Sequence, residues 1–193
     1  MKKINFHFRK NKITFIFAFI LFLASVDFNN AYAQENMMGQ PVTVDSVDLE
    51  RYAGKWYEIA KIPNRFQKQC IKNTSAEYKL LADGRIEVVN SCVDEDGELD
   101  NAEGMARVAD TSSNAKLEVS FVSLFGFHLF WGDYWIIGLD KNYRFAVVGT
   151  PSRKYGWILY REKTMPENLL EQAYIILEEN GYNRRDFKLS RQE

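Results

Sequence analysis

Between Trp56 and Arg161 the chain reads as eight short segments of strand character separated by turns, with no stretch of helical period among them. The segments are 55–62, 73–81, 85–92, 101–109, 115–122, 134–139, 144–149 and 156–161. Pro63-Asn64, Asp83-Gly84 and Asp96-Gly97 stand in the intervening turns, and Asp-Gly between two strand-like runs is a strong hairpin signal. Several segments alternate. Ala76, Tyr78 and Leu80 oppose Ser75, Glu77 and Lys79, and Leu117, Val119 and Phe121 oppose Glu118 and Ser120. Period-two alternation gives each strand one dry face and one wet face. Eight consecutive antiparallel strands leave two exposed edges unless the sheet closes on itself, so the expected fold is all-β, an eight-stranded up-and-down barrel. A two-sheet sandwich is the alternative.

The flanks follow. Thr164-Met165-Pro166-Glu167 has capping-box spacing, and Leu169, Leu170, Ala173, Ile176 and Leu177 recur at helical spacing up to Gly181, which predicts one amphipathic helix packed outside the barrel. At the other end, Lys2, Lys3, Arg9, Lys10 and Lys12 precede the apolar run 13–24, and Ala31-Tyr32-Ala33 offers a small-residue cut site. That arrangement reads as a secretory signal, residues 1–33, since twelve apolar residues are too few to cross a hydrocarbon core of ~30 Å. Residues 34–44 read as a flexible lead-in, and 45–193 as the domain. Removing the leader takes away five of the 25 Lys/Arg and one of the 26 Asp/Glu, leaving 20 basic and 25 acidic side chains, net −5. An acidic chain of this kind argues against a nucleic-acid surface. Cys70 and Cys92 are the two cysteines, and export favours a disulfide between them, at about 3 kcal/mol in the chain-entropy view. Two free thiols are the alternative.

Three segments then matter together. Residues 48–58 end in Gly54-Lys55-Trp56 at the first strand, Gly132-Asp133-Tyr134-Trp135 opens the sixth, and Trp157-Ile158-Leu159-Tyr160-Arg161 closes the eighth. This set resembles the lipocalin family, most of all the bacterial lipocalins of the Blc type and apolipoprotein D, from about residue 45 to the end. The resemblance implies a barrel with one closed end, in which segment 45–53 crosses the floor, Trp56 fills the base, Arg161 lies over its indole and Gly54 makes the tight entry. Gly54, Trp56, Asp133 and Arg161 are then structural, and Arg161→Ala is expected to cost ~1–3 kcal/mol. The resemblance also places the mouth at residues 63–72, 93–100, 123–133 and 150–155. The third of these is very apolar, with Leu124, Phe125, Phe127, Phe130 and Trp131, and Phe66 lies in the first. Such a cluster suits peripheral contact with a membrane, a partner, or a second copy in a homodimer. The alternative is that these side chains fold inward and extend the core.

Parity assigns the interior. If Trp56 points in, Glu58 and Ala60 follow it, and the ligand-lining candidates are Glu58, Tyr78, Val88, Val119, Phe121, Tyr134, Ile136, Trp157 and Leu159. Gly104 and Ala106 would leave room among them. Glu58 could meet a polar head group, and Tyr134 and Trp157 each combine an apolar ring with one polar atom. By resemblance the ligand is a small apolar or amphiphilic molecule, a fatty acid or lysophospholipid, carried or stored for envelope maintenance. The alternatives are a lipocalin-fold enzyme using a cavity thiol, or a pigment or haem scavenger. No metal-ligand spacing, phosphate loop or marked catalytic set is present, and no cofactor or enzymatic activity is expected. Many bacterial relatives carry an acylated cysteine just after the signal. No cysteine precedes Cys70 here, so the expectation is an exported periplasmic or secreted protein whose association with the outer membrane does not rest on a lipobox cysteine.

Overall fold

The computed structural model describes residues 39–193. The leader and the first part of the lead-in lie outside the described residues. Eleven strands are present among them. They are β1 (Gly54–Lys61), β2 (Lys72–Leu80), β3 (Ile86–Val93), β4 (Leu99–Val108), β5 (Lys116–Ser120), β6 (Val122–Leu124), β7 (Phe127–Leu129), β8 (Gly132–Leu139), β9 (Phe145–Gly149), β10 (Gly156–Tyr160) and β11 (Lys188–Leu189). Strands β1–β5 and β8–β10 follow one another around an antiparallel sheet, and β10 returns to pair with β1, which closes the barrel. These eight are the eight strands expected, with ends displaced by one or two residues. The ninth strand in the sheet, β11, adds to β1 from the C-terminal tail. The apolar segment expected as a loop is instead a hairpin, β6–β7, whose central residues Phe125 and Gly126 both have positive φ, 50° and 81°. That is the type I′ geometry whose twist matches a two-residue hairpin.

The side chains divide between two apolar layers. Tyr134, Ile136, Ala146, Val148 and Leu159 belong to the interior cluster. Their chain neighbours Trp135, Ile137, Phe145, Val147, Ile158 and Tyr160 belong to an outer one. Helix α2 (Glu167–Glu179) covers that outer layer with Leu169, Ala173 and Leu177. Both faces of the β8–β10 wall are therefore dry, which is why 145–149 reads as a continuous apolar run rather than an alternating one. Burying each of the two leucines contributes about 1.5–3 kcal/mol toward fixing the helix there. The capping box is not formed: Pro166 is the N-cap and no side chain bonds the first turn, because the turn begins after Thr164 rather than at it.

The lead-in is tied down where it is described. The Val42 amide donates to Asn180 Oδ1 at 2.7 Å and the Val44 amide to the Ile136 carbonyl at 3.0 Å. Val42 and Val44 are thus hydrogen-bonded to the helix end and to β8.

Candidate ligand-binding barrel and its mouth

The closed end is built around Trp56, which has no exposed surface. Asp48 caps a single helical turn, α1 (Leu49–Tyr52), by accepting from the amides of Glu50 and Arg51. That turn sits beneath the indole, whose N–H donates to the Tyr52 carbonyl at 2.8 Å. The Arg161 guanidinium lies over the other side of the ring, 3.8 Å from its centre. It also donates to the carbonyls of Arg51, Tyr52, Ala53, Lys55 and Tyr143. One cation thereby donates to five backbone carbonyls drawn from the plug, the start of β1 and the turn at 140–144. Burial lowers the Arg161 pKa from its ordinary value, but an arginine remains a cation at any physiological pH. Gly54 makes the entry with φ +88°, a conformation costly for residues with a Cβ.

Asp133 takes no part in this floor. It is exposed at the start of β8, opposite Glu118, at the mouth end of the strand. The residues that do the floor's work lie at the other end of β8. Asp140 accepts from the amides of Asn142 and Arg144, and the turn they shape presents Tyr143 to the plug. Tyr143 accepts from the Asp48 amide through its hydroxyl and carries the Arg51 guanidinium 4.0 Å above its ring. The sequence signal for this element is Asp140-Lys141-Asn142-Tyr143, an Asp-x-Asn turn, and not the Asp-Tyr dipeptide at 133–134.

Inside, Tyr78, Val88, Tyr134, Ile136 and Leu159 are buried in the interior cluster, with Val119 and Trp157 packed against it and partly exposed. Phe121 lies at the rim, with its ring over Gly104. A Cβ on Gly104 would come within 2.6 Å of that ring, so the space expected above the glycine is already filled by Phe121. Tyr52, not singled out from sequence, joins the interior at its floor. Its hydroxyl and that of Tyr78 bond the Tyr134 hydroxyl, at 2.8 and 2.9 Å. Burial raises the pKa of all three, that of Tyr78 to about 12, so the phenols are neutral at physiological pH.

Glu58 is buried, and its carboxylate is held by neighbours: Lys61 at 3.0 Å and Ser190 on one oxygen, Gln67 at 2.6 Å on the other. Gln67 in turn accepts from the Trp157 indole N–H at 3.2 Å. Lys61 reaches this cluster because β1 carries a bulge. The pairing with β10 shifts between Glu58 and Ala60, which places Ala60 opposite Ile158 and Lys61 opposite Trp157. Ala60 therefore packs in the outer layer and not, as parity implied, in the interior. One extra residue reverses every later side chain.

The mouth is apolar and open. Phe125, Phe130 and Phe127 are 91%, 82% and 73% exposed, and Phe66, Leu124 and Val122 are exposed as well. These side chains do not fold inward. Trp131 is half-buried and turned onto the wall, its ring 4.2 Å from the Arg107 guanidinium and its N–H on the His128 carbonyl. On the other side of the rim Trp157 stacks with Tyr155, and Tyr155 meets Phe66 at a tilt. Cys70 and Cys92 are joined, with Cα atoms 5.5 Å apart, and fasten the first mouth loop to the end of β3. Neither thiol is left for chemistry in the interior.

The family model for the lipocalin-like domain matches residues 47–192. The chain belongs to the lipocalin family. Among its relatives, this lipocalin is 40% identical to temperature-induced lipocalin-1 of Arabidopsis thaliana over 143 residues, 72% of this chain and 76% of the relative. It is 39% identical to the outer membrane lipoprotein Blc of Citrobacter freundii over 140 residues, again 72% and 76%. Apolipoprotein D of Mus musculus shares 33% identity over 174 residues, 84% of this chain and 88% of the relative. The structure is similar to insecticyanin from the tobacco hornworm Manduca sexta, with a TM-score of 0.62 and 26% identity over 79% of this chain and 83% of that one. The lipocalin is thus of the Blc and apolipoprotein D type, with the small-hydrophobic-ligand chemistry of its family.

Proposed function

We propose that this lipocalin carries a single-chain amphiphile, a fatty acid or lysophospholipid, in the barrel interior and exchanges it with membranes through the apolar rim. The observation that carries the reading is the continuity of apolar surface from the interior wall through Trp157, Tyr155 and Phe66 to the exposed mouth. Each methylene buried is worth about 0.8 kcal/mol, so a chain of ~16 carries a gross driving force near 13 kcal/mol before ordering costs reduce it. The acyl chain lies against the ring of Trp157 and the aliphatic wall, and the head group stays at the mouth. The work is done outside the cytoplasm, in a periplasmic or secreted protein serving envelope maintenance. Titration of delipidated protein with palmitate or lysophosphatidylcholine, followed by indole fluorescence, tests this. Saturable one-to-one binding at micromolar concentration or below is expected, and absence of saturation with either lipid contradicts it.

The rim has its own test. Aromatic side chains standing out from a β-hairpin beside a lipid-binding interior suit an interfacial bilayer contact, the role assigned here to Phe125, Phe127 and Phe130. Replacing all three by serine should weaken cosedimentation with phosphatidylglycerol–phosphatidylethanolamine vesicles by about tenfold or more, with lipid titration of the interior little changed. Unchanged sedimentation removes the membrane role. If instead the substitutions convert a wild-type dimer to monomer in sedimentation velocity, the rim is a homodimer surface.

A further inference from the structure

The three interior phenols do not close their own hydrogen-bond account. Tyr52, Tyr78 and Tyr134 bring three hydroxyl protons into the floor of the interior, and their oxygens make two hydrogen bonds among the described residues, both to Tyr134. If Tyr134 donates to one neighbour and accepts from the other, a terminal hydroxyl keeps a proton with no acceptor. If it accepts from both, its own proton is the one left over. Every arrangement leaves one O–H unpartnered, in a place where the rings are 2%, 6% and 8% exposed and where an unsatisfied donor is costly. The surrounding interior cluster is otherwise aliphatic and aromatic, with Val47, Trp56, Ile86, Val88, Leu117 and Leu159 about the rings.

We infer that this triad is a polar subsite at the deep end of the barrel, donating one hydrogen bond to a neutral oxygen on the buried end of the ligand. The inference rests on the carrier reading and narrows it. The preferred amphiphile has its charged head at the mouth and a ketone or ester oxygen at its far end, in place of a bare methyl group. A carboxylate does not suit the subsite, because the phenols offer a single surplus proton and Arg161 beneath them is already spent on five carbonyls. The proton is available throughout the physiological range, since burial holds all three phenols neutral. Its count is also robust to a single substitution. Tyr78→Phe leaves two hydroxyls sharing one bond, and one proton over. Replacing all three by phenylalanine removes donors and acceptors together at constant shape, a change that buried hydrogen-bonded groups tolerate.

The test is a comparison of hexadecanoic acid with 15-oxohexadecanoic acid, whose ketone accepts a hydrogen bond without bringing a donor, titrated into the delipidated full-length protein. The wild type is expected to bind the keto acid about tenfold more tightly, and Tyr78→Phe should keep that preference. In Tyr52→Phe/Tyr78→Phe/Tyr134→Phe the preference should vanish or reverse. Equal affinities in the wild type overturn the subsite while leaving the carrier reading intact. Binding of neither acid overturns both. Should the triple variant fail to fold, the wild-type ratio and its retention in Tyr78→Phe decide the matter, and a preference lost in folded Tyr78→Phe overturns the counting argument.

Discussion

Arg161→Ala is expected to lower the melting temperature by about 10 °C. The change deletes a cation stacked on Trp56 and unmakes five hydrogen bonds to backbone carbonyls. Stacking of this kind is worth roughly 0.5–2 kcal/mol, and carbonyls left without a donor add to it, so about 3 kcal/mol in total is reasonable. For a domain of this size each kcal/mol moves the midpoint by about 2–4 °C. Arg161→Lys should recover little, because an ammonium cannot span carbonyls from Arg51 to Tyr143 as the planar fork does. Circular dichroism gives the midpoint, and lipid titration of the folded protein should change less than threefold, roughly 0.7 kcal/mol. An unchanged midpoint with collapsed lipid affinity would make Arg161 a ligand residue and dismantle the floor.

Trp157→Ala carries the largest expected effect on binding. The ring is half-buried on the interior wall, stacks on Tyr155 and faces the route from the mouth. Its loss should weaken palmitate or lysophospholipid binding by about ten- to a hundredfold, on the order of 1.4–2.8 kcal/mol. The indole N–H also holds Gln67, which holds Glu58, so the alanine variant disturbs two things at once. Trp157→Phe separates them. It keeps most of the apolar surface and gives up the hydrogen bond, and it should retain most of the affinity. A phenylalanine variant as weak as the alanine one would assign the effect to the Gln67–Glu58 network instead of to contact with the acyl chain.

Much of this architecture is legible without coordinates because it rests on local rules. Alternation in 75–80 and 117–121 sets which face is dry, Asp83-Gly84 sets a turn, and Leu169, Ala173 and Leu177 set a helix face. What escaped the reading are features that depend on one-residue geometry or on distant pairing. A single bulge at Ile59 sends Ala60 outward and brings Lys61 to Glu58, and nothing in Glu58-Ile59-Ala60-Lys61 announces it. The C-terminal tail could not be placed by period either. Its Ser190 reaches Glu58, and the Gln192 amide bridges the carbonyls of Glu58 and Thr74, closing the gap where β1 and β2 part. Tyr52 read as part of a floor motif, and only the fold sets its hydroxyl against those of two strands more than 20 residues away. The resemblance places the mouth and the composition of 123–133 makes it apolar, but whether its side chains turn in or out depends on the β6–β7 hairpin, which the strand pattern does not announce.

The central claim is that the barrel holds one amphiphile drawn from a membrane. Native mass spectrometry tests it most directly: the protein is incubated with vesicles made from mixed phospholipids, lysophospholipids and free fatty acids, reisolated and sprayed under non-denaturing conditions. The account predicts a population heavier than the apo chain by the mass of a single fatty acid or lysophospholipid, released on collisional activation and reduced in Trp157→Ala. A spectrum of bare protein alone, or adducts of two-chain phospholipids in statistical numbers with no single-chain species, would contradict it.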